Sequence, residues 1–245
     1  MNTYGIIFPV YNEEKRIENG IVRTQQYIDA INADVNILIV DNGSTDGTEE
    51  IAVGLCKQYA NTSYIKIADK GVGIAFKEGV SRLHSDIVGY MDIDLSADIS
   101  YFSKVVSLFE KDKNIDLVNG SRFNKKSIIE GRKWYRLLTS RGLVVLLKLF
   151  FKMKSSDAIC GFKFFKSDSV RKLLSESSNE KGWFLIIEML LRAERDNMNI
   201  AELPIHWIDD NSNSTVDVLG TIKNYIEHII QLKKTFAKET RNNKH

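Results

Sequence analysis

Ile87-Val88-Gly89-Tyr90-Met91-Asp92-Ile93-Asp94 is the stretch on which the reading of this chain turns. A short apolar run leads into an Asp-x-Asp pair. Such a run, bounded by polar residues, reads as a strand buried on both faces. Side chains alternate along a strand, so both carboxylates are expected on one side of its end. Two hard oxygen ligands suit Mg²⁺ or Mn²⁺, which keep waters and also take phosphate oxygens. A cation there would neutralise charge developing on a diphosphate leaving group. The plainer alternative is a solvated pair that caps the next helix, and a bare Asp-x-Asp does not choose between them.

Outward from this strand the first half of the chain alternates two periodicities. Residues 4–8, 36–40, 63–67, 86–91 and 116–119 read as strands, and 13–31, 45–59, 73–83 and 99–111 as helices. Strand–helix alternation implies right-handed crossovers and a mostly parallel central sheet flanked by helices, an α/β fold. Ligands of such sheets bind beyond the carboxyl ends of the strands. The loops expected there are 9–14, 41–47, 69–73 and 92–98. In the second of them, Asp41-Asn42-Gly43-Ser44-Thr45-Asp46-Gly47 reads as a tight turn and a helix start, with Ser44 or Thr45 as N-cap. In the first, Pro9 fixes the chain direction and Tyr11 offers a ring on which a base can stack. Each loop alone is equally well read as a turn and a cap.

Composition narrows the class. The chain has 245 residues, 43% of them hydrophobic and 27% charged, which suits a soluble globular protein with one sizeable domain. Its net charge of +2 commits it to no nucleic acid. Two cysteines, Cys56 and Cys160, make neither a disulfide framework nor a zinc site. No leader and no apolar run of about 18 residues is seen, so the expected place is the cytoplasm, with a peripheral position on the cytoplasmic face of a membrane.

The loop sequences also form an ordered series: Pro-Val-Tyr-Asn-Glu from Pro9, Val-Asp-Asn-Gly-Ser-Thr-Asp-Gly-Thr from Val40, Lys-Gly-Val-Gly-Ile-Ala from Lys70, Met-Asp-Ile-Asp-Leu-Ser from Met91 and Gly-Ser-Arg-Phe from Gly120. That series resembles the family 2 glycosyltransferases of GT-A type, over roughly residues 4–220. It is most similar to the branch with the dolichyl- and polyprenyl-phosphate sugar synthases. The resemblance implies an inverting enzyme that moves one sugar from a UDP- or GDP-sugar. It implies that Pro9, Tyr11, Glu13, Asp41, Lys70, Asp92 and Arg122 bind the nucleotide sugar. Asp92 and Asp94 would hold Mg²⁺ or Mn²⁺, with Asp94 also counted as catalytic. Asn42 stands where the family often has a second acidic residue, which puts that residue's role in doubt here.

The second half points to the acceptor. Residues 121–154 carry ten basic residues against the single acidic Glu130. Trp134, Tyr135 and the run Leu143–Phe151 lie among them. A basic, aromatic helix too short to span suggests contact with an anionic membrane, with a buried helix or an oligomer interface as alternatives. Leu146, Leu149, Phe150 and Phe151 are the side chains expected to enter the surface. Arg122, Arg132 and Arg141 are candidate contacts to an acceptor phosphate. The resemblance extends to Asp157, which precedes Cys160-Gly161-Phe162-Lys163, and to Glu188. Either would serve as general base for a hydroxyl acceptor, such as one on a cell-surface polysaccharide; for Glu188 a salt-bridged helix residue is the competing reading. His206 reads as structural, and 204–210 with 212–216 resemble the family's closing loop, without the basic residues common in lipid-phosphate synthases. A final helix over 218–237 is expected to put Ile222, Tyr225, Ile226, Ile229, Ile230 and Phe236 on one face. The expected division is a transferase domain, 1–217, and a helix with polar tail, 218–245.

Three rivals were weighed. A nucleotidyltransferase would want a basic, glycine-rich first loop, and 9–14 is acidic. A dinucleotide-binding oxidoreductase would want a third glycine after Gly71-Val72-Gly73. A catalytically inactive membrane-surface adaptor on the same fold would have no need of an intact Asp92/Asp94 pair.

Overall fold

The computed structural model describes residues 2–209 and 218–242. Seven strands form one sheet: β1 (Tyr4–Val10), β2 (Val35–Asp41), β3 (Thr62–Lys66), β4 (Ile87–Met91), β5 (Leu117–Ser121), β7 (Phe162–Lys166) and β8 (Ile200–Pro204), in the order β3-β2-β1-β4-β7-β5-β8. β1 pairs in parallel with β2 and β4, and β2 with β3. The exception is β7, antiparallel to both β4 and β5, while β5 and β8 are again parallel. A second small sheet joins β6 (Ile128–Glu130) to β9 (His206–Ile208). The expected α/β architecture stands, with β7 reversed inside it.

Helices α1 (Ile17–Ile31), α2 (Thr48–Gln58), α3 (Val72–Arg82) and α4 (Phe102–Lys111) follow the first four strands, α4 entered through a 3-10 turn at Ile99–Tyr101. α1 buries Ile17, Gly20, Ile21, Thr24 and Ile28, the stripe its periodicity predicts, and stops at Asn32 in the left-handed region. Gly20 is needed there: a Cβ would stand 2.2 Å from the carbonyl oxygen of Ile93, so α1 presses directly on the Asp-x-Asp turn. The N-cap of α2 falls at Gly47, later than the sequence suggests. Asp46 explains the delay, because its carboxylate accepts from the Thr48 amide and hydroxyl.

The two faces of the sheet carry separate apolar clusters. Phe8, Ile39, Met91, Phe102 and Phe164 belong to one; Ile7, Val40, Phe76, Tyr90 and Phe165 belong to the other. The second is closed by α5 (Trp134–Phe151), α6 (Ser167–Glu176), α7 (Phe184–Arg195) and α8 (Val218–Asn242). α7 is buried along nearly its whole length, as its all-round apolar sequence requires. On α8 the expected single apolar face divides. Ile229 is buried and Tyr225 and Phe236 pack inward, but Ile226 and Ile230 face solvent, and the side chain of Ile222 lies outside the described residues. Ile226 and Ile230 stay outside because α8 rests on α5 and α7 along a narrower stripe than the sequence contains.

Candidate active site

The carboxyl ends of β1, β2 and β4 meet at one edge, and the loops leaving them are tied together by short bonds. Asn42 donates to the Val10 carbonyl oxygen and accepts from the Gly71 amide, so it joins three loops. That occupation accounts for an uncharged amide where a second acid was in question. The Asn12 carboxamide oxygen accepts from Thr45, and Ser44 accepts from the Asn12 amide. Pro9 lies in β1 opposite Val40, and Tyr11 projects from the next turn with the Lys70 ammonium 3.6 Å above its ring. Asp41 has no exposed surface: Oδ1 accepts from the Ser44 amide at 2.7 Å and Oδ2 from the Tyr64 hydroxyl at 2.9 Å. Burial, then Asp41, pushes the Tyr64 phenol well up. Asp41 is therefore built into the frame of these loops, each of its oxygens already accepting one bond. Glu13 is engaged by Arg16 at 2.6 Å, yet its burial, reinforced by Asp94, keeps its carboxyl above the usual range.

The Asp pair is not carried on a strand. β4 ends at Met91, and residues 92–95 form a turn in which the Leu95 amide donates to the Asp92 carbonyl oxygen, with Leu95 at φ 51°. The turn, not strand alternation, is what brings the two carboxylates near each other. Asp94 Oδ1 accepts from the Ser96 amide. Among the described residues nothing donates a hydrogen bond to the Asp92 carboxylate. Desolvation and then Asp94 hold its carboxyl well above the carboxylate range. A cation there would relieve both causes. Gly161 is cut to fit it, since a Cβ would lie 1.9 Å from Asp92 Oδ2. The Asp92 carboxylate, with no hydrogen-bond donor among the described residues, and the Asp94 carboxylate, held through one oxygen by Ser96, fit Mg²⁺ or Mn²⁺ completed by diphosphate oxygens.

Asp92 also opens onto a cavity of about 840 Å³, which brings together Arg122, Arg132, Arg136 and Arg141 with Trp207 and an apolar wall from α5 and α8. Three of these arginines were singled out from sequence; Arg136 was not, although the charge count contained it. Its position on the first turns of α5 is the signal that a helical projection would have given. Arg122 is buried and forked onto Asp157, Nε to Oδ2 at 2.7 Å and Nη2 to Oδ1 at 3.0 Å, beneath the ring of Trp207. Burial opposes the Asp157 carboxylate, and Arg122 overcomes it and holds its pKa below the usual value. Arg132 bonds Asp209 and Ser140. Arg132 Nε and Trp207 Nε1 are buried donors without a partner among the described residues.

Both residues expected as bases are paired with arginines. Asp157 is fully buried and forked onto Arg122, with the Ile159 amide also donating to it. Glu188 lies inside α7, where it accepts from Ser178 and from Arg192. His206 Nε2 stands 3.0 Å from Glu130 Oε1 without a hydrogen bond to it. Cys160 is buried and its thiol is pushed up to about 12 by desolvation, which suits packing and not attack. Of the expected closing loop, residues 210–216 lie outside the described residues.

With this fold and this edge the chain falls among the GT-A type nucleotide-sugar transferases. It belongs to glycosyl transferase family 2, whose family model matches residues 5–174. It is 28% identical over 220 residues to the glycosyltransferase AglD of Haloferax volcanii, covering 89% of this chain and 35% of that protein. It is 29% identical over 227 residues to the dolichyl-phosphate beta-glucosyltransferase ALG5A of Trichomonas vaginalis, covering 89% and 69%. The chain thus spans about a third of one relative's length and about two thirds of the other's. Among solved structures it resembles glucosyl-3-phosphoglycerate synthase from Mycobacterium tuberculosis. The complex with UDP gives a TM-score of 0.71 at 20% identity, covering 95% of this chain and 80% of that one; the complex with Mn²⁺, UDP and glucosyl-3-phosphoglycerate gives 0.70 at 19%, covering 95% and 80%.

Proposed function

We propose that this glycosyltransferase moves a single sugar, with inversion, from a nucleoside-diphosphate sugar to the phosphate of a polyprenyl or dolichyl lipid held at a membrane surface. The observation that carries the reading is the cavity that runs from Asp92 past four arginines to an apolar wall. Arginine forks suit a phosphate, and the apolar wall suits a lipid chain. The name of the Trichomonas relative supports the acceptor, and the UDP held by the mycobacterial synthase favours UDP over GDP as carrier.

In the reaction an acceptor phosphate oxygen attacks the anomeric carbon from the side opposite the diphosphate. The carbon–oxygen bond to the diphosphate breaks, and the nucleoside diphosphate leaves with the electron pair. Asp92 and Asp94 would hold Mg²⁺ or Mn²⁺, which supplies neutralising charge to the leaving diphosphate. Arg122, fixed by Asp157, and Arg132, Arg136 and Arg141 orient and neutralise the incoming phosphate. A phosphate is already ionised and needs no base, which agrees with the commitment of Asp157 and Glu188 to arginines.

An exposed stripe on α5 supports the membrane position. Trp134, Leu138, Val145 and Leu149 recur at helical spacing, with Trp134 75% and Leu149 73% exposed. Of the side chains expected at the surface, Leu149 and Phe150 are there. Leu146 instead lines the cavity and Phe151 packs on Phe236. Among the described residues no helix is long and apolar enough to cross a membrane.

The test is incubation with UDP-glucose, Mn²⁺ and either polyprenyl phosphate or a soluble phosphoglycerate. A β-linked glucosyl lipid is expected. Transfer to phosphoglycerate alone, or retention of configuration in the product NMR spectrum, would sink the reading.

A further inference from the structure

Lys163 is a lysine at the centre of the sheet, on β7, with no exposed surface. Its neighbours in register are Tyr90 on β4 and Asn119 on β5. Three adjacent strands therefore place a phenol, an ammonium and a carboxamide in one row within an otherwise apolar layer. Burying an ammonium there is costly, and desolvation pushes its pKa down. Among the described residues no carboxylate lies within bonding distance of it. The fold alone would be served better by a hydrocarbon side chain in this place.

The row acts on one loop. Lys163 Nζ donates to the Cys160 carbonyl oxygen at 3.1 Å and to Asn119 Oδ1 at 2.6 Å. The Tyr90 hydroxyl donates to the same Cys160 oxygen at 3.1 Å, and Asn119 Nδ2 donates to the Asp157 carbonyl oxygen at 2.9 Å. Loop 157–161 is thus gripped by two of its main-chain carbonyls. Its two ends carry the features the site needs: Asp157 clamps Arg122, and Gly161 makes the space in which Asp92 lies.

We propose that Lys163 is a positioning residue for sugar transfer: with Tyr90 and Asn119 it sets loop 157–161 so that Asp92 and Arg122 face one cavity. This rests on the reading of Asp92 as a metal carboxylate and Arg122 as an acceptor contact. Outer groups that orient metal ligands typically change metal affinity or activity by about 10- to 100-fold.

The test compares wild type with Lys163→Met, which keeps the apolar stem of the side chain and removes the ammonium. UDP affinity without metal, Mn²⁺ affinity with UDP present (from the free-ion EPR signal), turnover and Tm are measured. On the proposed function the nucleoside binds among the loops after β1, β2 and β3, away from Lys163, so UDP binding without metal stays at the wild-type value. Mn²⁺ affinity and turnover fall about 10- to 100-fold in a protein whose Tm moves little. Tyr90→Phe, which removes one donor to Cys160 and no packing, lowers Mn²⁺ affinity about fivefold and serves if the first variant does not fold. Wild-type Mn²⁺ affinity and turnover in a folded Lys163→Met, or in Tyr90→Phe where the first variant does not fold, overturn the proposal alone. Wild type that takes no Mn²⁺ with UDP overturns the reading of the Asp pair, and this proposal with it.

Discussion

The strand-end loops and the arginine-lined cavity beside them, which the proposed function makes the donor end and the acceptor end, are built on opposite plans. The donor end is made of short loops between consecutive parallel strands, held by bonds among Asn12, Asp41, Asn42 and Ser44. It presents carboxylates. The acceptor end comes largely from the long segment between β5 and β7, which carries β6 and α5, and it presents arginines. On the proposed function the two charges face each other where a phosphate approaches a diphosphate. Like-charged reactants are brought together by a pair of opposite-charged walls, one acting through a cation and the other directly.

The largest expected effect tests the donor wall. Asp92→Asn should lower turnover at least about a hundredfold, the scale of losing one preorganised electrostatic partner. Tm should not fall. Burial and Asp94 raise the Asp92 pKa in the folded protein, so its ionised form is disfavoured there and the stability lost above that pKa returns on neutralisation. An Asp92→Asn protein that is both active and less stable would make Asp92 a structural residue and erase the contrast between the walls.

The acceptor wall should behave in the reverse way. Arg122→Met leaves the Asp157 charge buried and alone, and should cost about 3–5 kcal/mol of stability in denaturant unfolding. Arg122→Met combined with Asp157→Asn should recover most of that loss without recovering turnover. If the double variant transfers sugar normally, the arginine is scaffolding only.

The smallest effect concerns Leu149, on the exposed stripe of α5. Leu149→Glu should weaken sedimentation with anionic liposomes by roughly tenfold, since burying such a side chain contributes about 1.5–3 kcal/mol. High salt should weaken it further, through lysines worth about 1 kcal/mol each near the surface. Sedimentation equal to wild type would detach the acceptor wall from the membrane.

How far the sequence carries differs between the same two ends. β1 to β4 and their helices follow from local periodicity, because each unit packs against its neighbour in the chain. Their loops fall where the strands end, so Pro9, Tyr11, Lys70 and Asp92 are found together. The acceptor end depends on pairings between residues distant in sequence. The Arg122–Asp157 fork spans 35 positions and the bond from Arg132 to Asp209 spans 77, and no periodicity announces either. For the same reason Glu188 reads as a possible base until its partner Arg192, one helical turn away, is seen to hold it. The reversal of β7 is equally silent, since Phe162-Lys163-Phe164-Phe165 reads as a strand without a direction.

That reversal has an evolutionary side. Because β5 and β7 are antiparallel neighbours, with Asn119 opposite Lys163, the chain leaves the sheet after Ser121 and re-enters at Phe162 on the same edge. Everything between is a detour from one fixed gate to another. Such a detour can be lengthened, shortened or replaced as a cassette while the strands on either side keep their register. A lineage that changes what it glycosylates can rewrite much of residues 123–156 while it keeps Arg122, loop 157–161 and the strands that hold them.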